Sequence, residues 1–326
     1  MPIASYLREI GRGADGSRPL KPEQAHDLMS QLLDDRLSPL EVGAFAIAMR
    51  MKGETVDELL GFVQALHERL VPLPSDRPVI AIASYNGARR LPNLVPLLAL
   101  KLAAAGARVL VHGLAHDPDR VTTAQVFEAL GHAPALSADA VALAWQQHGC
   151  VFVPTPLLSP ALERLLQVRR TLGLRNSGHT IAKMLNPVRG APCLRLLSHT
   201  HPEFGQLMAA YAERSLAHMG LLRGTEGEAV ADPRRLPRQQ IWLAGVRQAD
   251  LASEPEPGSL ATVPQLPEAI DPATTAAWIA AALRGERPLP PPIERQIELL
   301  LAALSRLSAA PTAGGGGSSA GAGKTD

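Results

Sequence analysis

The chain is 326 residues long, 46% hydrophobic and only 3% aromatic, with a formal net charge of +1. Such a composition can bury a substantial core, which excludes a disordered chain and leaves the packing chiefly to Leu, Ala and Val. The two cysteines, Cys150 and Cys193, are too few and too far apart for a disulfide framework, and no Cys/His spacing reads as a zinc site. Each is expected to be a small buried hydrophobe. Residues 1–5 lack the basic and apolar runs of a signal peptide, and no apolar stretch is long enough to span a bilayer. A cytoplasmic protein with no membrane partner is the expectation.

The first 70 or so residues read as successive helices. Leu28, Leu32 and Leu33 form an apolar stripe between Pro22 and Leu37. Ser38-Pro39 is an N-cap followed by proline at the first helical position, opening a helix through Ala44, Ile47 and Ala48. Thr55-Val56-Asp57-Glu58 has the form of a capping box, and its helix carries Leu59, Phe62, Val63 and Leu66 on one side. Pro72-Leu73-Pro74 then breaks this mildly acidic region, which predicts a helical domain over residues 1–72.

Beyond it the period changes. Val79–Ala83 is a short apolar run, a buried strand, followed by a turn-rich loop from Ser84 to Leu91. A helix from about Pro92 to Ala105 is stopped by Gly106, Arg108–Val111 is a second strand, and a helix over Val121–Leu130 ends at Gly131. Strand and helix alternate at βαβ spacing, so the fold class is α/β with a mainly parallel sheet and helices on its faces. Val151–Val153, Leu194–Leu197 and Ile241–Ala244 are later strands, with helices near Glu203–Ala217, Pro272–Leu283 and Ile293–Leu307. This α/β domain is expected over residues 73–310. Residues 311–326, rich in Gly, Ala and Ser, read as a disordered tail.

The charges are sorted. From Arg77 to His116 there is no acid, but there are Arg77, Arg89, Arg90, Lys101 and Arg108. From Val151 to Thr200 the only acid is Glu163, against Arg164, Arg169, Arg170, Arg175, Lys183, Arg189 and Arg195. A solvated basic face would explain such runs. Arg89 and Arg90, however, fall in the loop after the first strand and before a helix, where open parallel sheets bind ligands and helix N-termini attract anions. Paired guanidinium forks suit phosphate oxygens. With Arg169, Arg170, Arg175 and Lys183 on the same side, they would form a basic groove for a nucleotide or a nucleic-acid backbone. His112 with His116-Asp117, and His199 with His201, have spacings a metal accepts, but loop histidines explain them as well, and no metal site is predicted.

Several runs carry a family resemblance. Gly106-Ala107-Arg108-Val109-Leu110-Val111-His112-Gly113, Val126-Phe127-Glu128-Ala129-Leu130-Gly131, and Pro160-Ala161-Leu162 through Val168-Arg169-Arg170-Thr171-Leu172-Gly173-Leu174-Arg175 to Leu185-Asn186-Pro187 resemble the anthranilate phosphoribosyltransferases of glycosyltransferase family 3. The likeness runs from the N-terminal helices to about Gly245. It implies a nucleoside phosphorylase-type fold, a small all-α domain on a larger α/β domain, with helices of about 163–187 returning to the first. It also implies a homodimer formed through the helical part.

The family's catalytic pattern is not kept. Its diphosphate loop, Gly-Thr-Gly-Gly-Asp, falls on Ala83-Ser84-Tyr85-Asn86-Gly87, where Ala83 and Tyr85 replace glycines that let backbone N–H groups approach a diphosphate. Its Asn-x-Ser-Thr becomes Asn93-Leu94-Val95-Pro96, and its Lys-His-Gly-Asn becomes Val111-His112-Gly113-Leu114, so Asn93, His112 and Gly113 stand as remnants. The acidic pair expected for magnesium falls near Ala229-Val230, with Glu226, Glu228 and Asp232 close but out of register. Ser84–Leu94 and Gly224-Thr225-Glu226-Gly227-Glu228 resemble instead the YbiB group of DNA-binding proteins, similar to the transferases in fold.

That second resemblance implies sequence-independent DNA or RNA binding without a cofactor. Arg89, Arg90, Lys101, Arg169, Arg170, Arg175 and Lys183 would neutralise phosphates, Asn86 would assist, and Tyr85 would offer a base a stacking platform or else pack on its own domain. The alternative is an active phosphoribosyl- or glycosyltransferase. It needs His112 and Arg169 to hold an aromatic acid, since the family's arginine at the Arg169 position contacts anthranilate, and magnesium held by Glu226 or Glu228.

Overall fold

The computed structural model describes residues 2–13, 15–256 and 258–309. The expected tail at 311–326, and residue 310, lie outside the described residues. The chain opens with four helices, α1 (Ile3–Ile10), α2 (Pro22–Leu33), α3 (Pro39–Lys52) and α4 (Val56–His67). Both expected caps form. The Glu41 carboxylate accepts from Ser38 N at 2.8 Å, and the Glu58 carboxylate accepts from Thr55 N at 2.9 Å. Glu58 is fully buried and also accepts from Leu20 N at 3.0 Å and from the Lys52 ammonium at 2.6 Å. One carboxylate thus ties the end of α3, the start of α4 and the entry to α2, and its burial is tolerable because each contact is a hydrogen bond. Helix α1 has no side-chain cap and buries Ile3, Tyr6 and Ile10.

Among the described residues nine strands follow: β1 (Leu73–Pro74), β2 (Val79–Ser84), β3 (Arg108–Gly113), β4 (Cys150–Pro154), β5 (Val188–Arg189), β6 (Cys193–His199), β7 (Met219–Arg223), β8 (Gln239–Leu243) and β9 (Val246–Ser253). Strands β1 and β5 make a two-residue parallel ladder. The other seven form one sheet in the order β4-β3-β2-β6-β7-β8-β9, parallel up to β7 and antiparallel through β8 and β9. Strands β7 and β9 escaped the sequence reading. The first is five residues long, and the second is a polar edge strand reached through a tight turn with positive φ at Ala244 and Gly245.

Between and after the strands lie α5 (Val95–Ala104), α6 (Thr123–Ala129), α7 (Ala138–His148), α8 (Thr155–Leu158), α9 (Pro160–Leu172), α10 (Ser177–Ile181), α11 (Pro202–Arg214), α12 (Pro272–Leu283) and α13 (Pro291–Ala309). The strict alternation along β2 sorts them into two layers. Val79, Ala81 and Ala83 face a core shared with α2, α4 and α9, whereas Ile80 and Ile82 face a second core built from α5, α6, α12 and α13. Helices α9 and α10 meet the N-terminal helices: Arg164 donates to Leu33 O at 3.0 Å, and the Ser177 hydroxyl donates to Glu54 at 2.6 Å. Both cysteines are buried and free, and burial pushes each thiol up to about 12. Among the described residues, no helix is long and apolar enough to cross a membrane.

Candidate anion-binding site

At the carboxyl ends of β2, β3 and β6, loop 85–91 meets a tight turn, Thr225–Glu228. In the turn Glu226 and Gly227 both have positive φ, 52° and 87°. Two successive left-handed residues close a hairpin turn, and at Glu226 that conformation carries strain because the residue has a Cβ. The turn is seated without slack: a Cβ on Gly227 would fall 1.6 Å from Asn86 Nδ2. The Gly227 carbonyl accepts from Ser198 Oγ at 2.6 Å and from Lys183 Nζ at 3.3 Å.

This seating brings two carboxylates to the backbone of the loop. Glu228 Oε1 accepts from Asn86 N at 2.7 Å and from Gly87 N at 2.6 Å. Glu226 Oε2 accepts from Arg89 N at 2.8 Å, Arg90 N at 3.0 Å and Leu91 N at 3.1 Å. Five N–H groups of one loop therefore converge on anions, the arrangement of a backbone nest. Burial would raise the Glu226 carboxyl, but the three N–H donors and the nearby Arg120 outweigh it and hold the group below its ordinary value. Glu228 is 2% exposed, and its Oε2 has no hydrogen-bond partner among the described residues.

The predicted site residues fall in four places. Asn86, Arg175 and Lys183 come together in a partly open chamber of about 350 Å³ between the helical layer and the sheet, with Glu54, Arg120, His179 and Glu226. Arg175 donates to Asn86 Oδ1, and Lys183 to Ser198 O at 3.1 Å. Burial, then the neighbouring Arg169 and Arg120, bring the Arg175 guanidinium down to about 10, and burial with Arg175 brings Lys183 down to about 8. Arg90 lies on the other side of the turn, in an open cleft of about 1060 Å³ with Arg223, Arg234, Arg235 and Arg238. Arg89 is exposed beside it. Arg169 and Arg170 line a third hollow, where Arg169 pairs with Asp117 at 3.3 Å, so the single groove expected from sequence is divided. Lys101 sits in the last turn of α5 and lines none of these cavities.

The remaining residues are structural. Tyr85 is 1% exposed, and its hydroxyl bonds His112 Nδ1 at 2.9 Å, so of its two expected roles the structure shows packing on its own domain and no exposed stacking face. Burial raises the tyrosine and pushes His112 down to about 3, with its Nδ1 taken up inside the fold by the Tyr85 hydroxyl. Asn93 donates to Thr123 Oγ1 at 2.9 Å and accepts from Val95 N at 3.2 Å, opening α5. Gly113 is there for close approach, since a Cβ would fall 1.6 Å from Ser84 O. At the positions expected for magnesium, Ala229 and Val230 are buried and apolar; Glu226 is taken up by backbone N–H groups, and Glu228 uses only Oε1 on them, its Oε2 having no partner among the described residues. Sequence reading missed Arg120, Arg223, Arg234, Arg235 and Arg238. The run Pro233-Arg234-Arg235-Leu236-Pro237-Arg238 was the available signal.

Comparisons with known proteins accord with this architecture. Residues 4–70 match the helical bundle domain of a glycosyl transferase family, and residues 87–232 match its a/b domain. The uncharacterized protein YbiB of Escherichia coli (strain K12) is 38% identical over 93% of this chain and 94% of its own length. The chain belongs to this glycosyl transferase family. The anthranilate phosphoribosyltransferase of Moorella thermoacetica is 31% identical over 60% of this chain, and the match spans 58% of that enzyme. In structure, the anthranilate phosphoribosyltransferase of Thermus thermophilus superposes with a TM-score of 0.72 at 24% identity, covering 94% of this chain and 88% of that one. The two family matches leave out residues 71–86, the stretch in which the loop acquires Ala83 and Tyr85.

Proposed function

We propose that this protein is a family member that binds polyanions without catalysis, with the sugar-phosphate backbone of DNA or RNA as the physiological ligand. One observation carries the reading: the backbone donors of loop 86–91 are taken by the protein's own carboxylates, while Arg89, Arg90 and Arg223 are presented to solvent beside them. A reaction centre for a diphosphate ester needs those donors free; a surface that reads a polymer by charge does not. The test is a titration of arbitrary single-stranded and duplex oligonucleotides at several salt concentrations. Affinity that falls steeply with salt supports the reading. Absence of binding at low ionic strength ends it.

The chamber favours a second reading, a transferase with an altered substrate. Lys183 is buried there and Arg175 half-buried, with Arg120, His179, Glu54 and Glu226 also lining the chamber, and such a cationic pair suits a small organic anion. Phosphoribosyl diphosphate with magnesium would then raise the unfolding temperature by mass action, and turnover of that donor would displace the first reading. We also propose a homodimer through the helical layer, supported by Leu40, Ile47 and Met51, which α3 leaves exposed. The free, buried thiols support a reducing, cytoplasmic setting.

A further inference from the structure

The anions in the nest are covalently part of the chain. Two carboxylates at the ends of one tight turn each collect several N–H groups from a loop that ends a parallel strand, which is the surrounding in which a protein holds phosphate groups. Glu226 keeps a left-handed backbone to reach it. The turn is fastened from below by Lys183 and Ser198 on the Gly227 carbonyl, and from the side by Asn86 Nδ2 on the Glu226 carbonyl at 3.3 Å. A turn held at that many points is a fixture. Any free anion must displace both a charge and its tether to enter.

We propose that the Thr225–Glu228 turn is an internal phosphate mimic, and that Glu226 and Glu228 set specificity by excluding small diphosphates from the nest. The inference rests on the polyanion reading for its biological sense: with the nest filled, only the arginines outside it remain to attract phosphate, and they suit a polymer better than a mononucleotide. Repulsion by the two carboxylates is the discriminating element, since a specific site rejects the wrong ligand as well as holding the right one.

The full-length protein and three variants, Glu226→Gln, Glu226→Ala and Glu226→Ala with Glu228→Gln, would be titrated calorimetrically with inorganic pyrophosphate and, separately, with a single-stranded oligonucleotide. The wild type is expected to show no saturable pyrophosphate binding at millimolar concentration. Glu226→Ala, which frees three N–H donors, is expected to gain at least about tenfold, or ~1.4 kcal/mol. Glu226→Gln keeps an acceptor oxygen without the charge and should gain less. If the alanine variants do not fold by circular dichroism, the comparison of Gln with wild type decides.

Equal pyrophosphate affinity in wild type and a folded variant would overturn the mimic, as would tight binding by the wild type. Should the variants gain pyrophosphate while the wild type ignores the oligonucleotide, the nest is indeed occupied by its glutamates and the polymer reading alone has failed.

Discussion

On one side of Glu226 lies the smaller chamber, walled by the helical layer, where Lys183 is buried, Arg175 is half-buried and the protons of both are loosened. On the other lies the open cleft, where Arg90 and Arg223 are exposed and Arg234 and Arg235 share Asp232 at 2.9 and 3.1 Å. Cationic side chains behave oppositely across a single glutamate. Desolvation turns the chamber's cations into a liability that a small, enclosed anion would relieve, whereas water screens the cleft's cations and lets them act collectively over a length of polymer. The turn that separates them therefore decides which kind of ligand the protein can take.

The largest expected effect concerns the core behind the loop. Tyr85 is packed against His112 with ring centroids 5.5 Å apart and a hydroxyl bond to its imidazole. Replacing it with alanine removes a buried aromatic side chain and leaves a cavity, which costs about 3–5 kcal/mol. A urea unfolding midpoint measures it. Oligonucleotide affinity of the folded Tyr85→Ala protein should be unchanged, and a loss of affinity with stability intact would restore the residue to the ligand surface.

Much of this was legible in the sequence, and the boundary between legible and hidden is instructive. Caps and periodicity sufficed for α2, α3 and α4, because Ser38, Thr55 and the apolar stripes act within a few residues of themselves. The short runs Val79–Ala83 and Arg108–Val111 were readable as buried parallel strands for the same reason. The basic groove was not so readable. Arg169 and Arg175 are six residues apart yet face different hollows, and Asp117, which neutralises the first, is 52 residues away in sequence. Glu226 and Glu228 were noticed only as poor metal ligands. Their actual partners are backbone N–H groups some 140 residues upstream, and backbone donors carry no residue type for a sequence reading to find.

Two histidines, His179 in the chamber and His67 in a separate hollow beside Asn186 and Arg195, make a prediction about acid. His67, whose Nε2 accepts from Asn186 N at 3.0 Å, is held down at about 4 by burial and then by Arg195. Burial, then Arg175 and Arg169, hold His179 at about 3. Both folded values lie below the ordinary 6.5, so between pH 6.5 and about 4 the unfolded chain binds protons that the folded one refuses. Stability therefore falls as the pH drops through that window, by about 2 kcal/mol for each histidine at pH 5. His112, held at about 3 by burial, adds a contribution of the same sign; unfolding in urea at pH 7 and pH 5 would reveal the sum, and His67→Gln should remove only its own share, about 2 kcal/mol. Identical midpoints at the two pH values would mean that these histidines are hydrated in the folded protein.

The smallest effect discriminates most sharply between the two clefts. Reversing Arg90 and Arg223 to glutamate places two anions in the open cleft without touching the Arg90 N–H that serves Glu226. Oligonucleotide affinity should fall by about tenfold, ~1.4 kcal/mol, and the salt slope by about one for each arginine that met a phosphate. Lys183→Met in the chamber should change that affinity less than about twofold, because a buried ammonium fastened to Ser198 O and Gly227 O has no reach to a polymer outside. Equal losses in the two variants would mean that the polymer threads past Glu226 into the chamber, and the turn would then be a gate between the clefts instead of a wall.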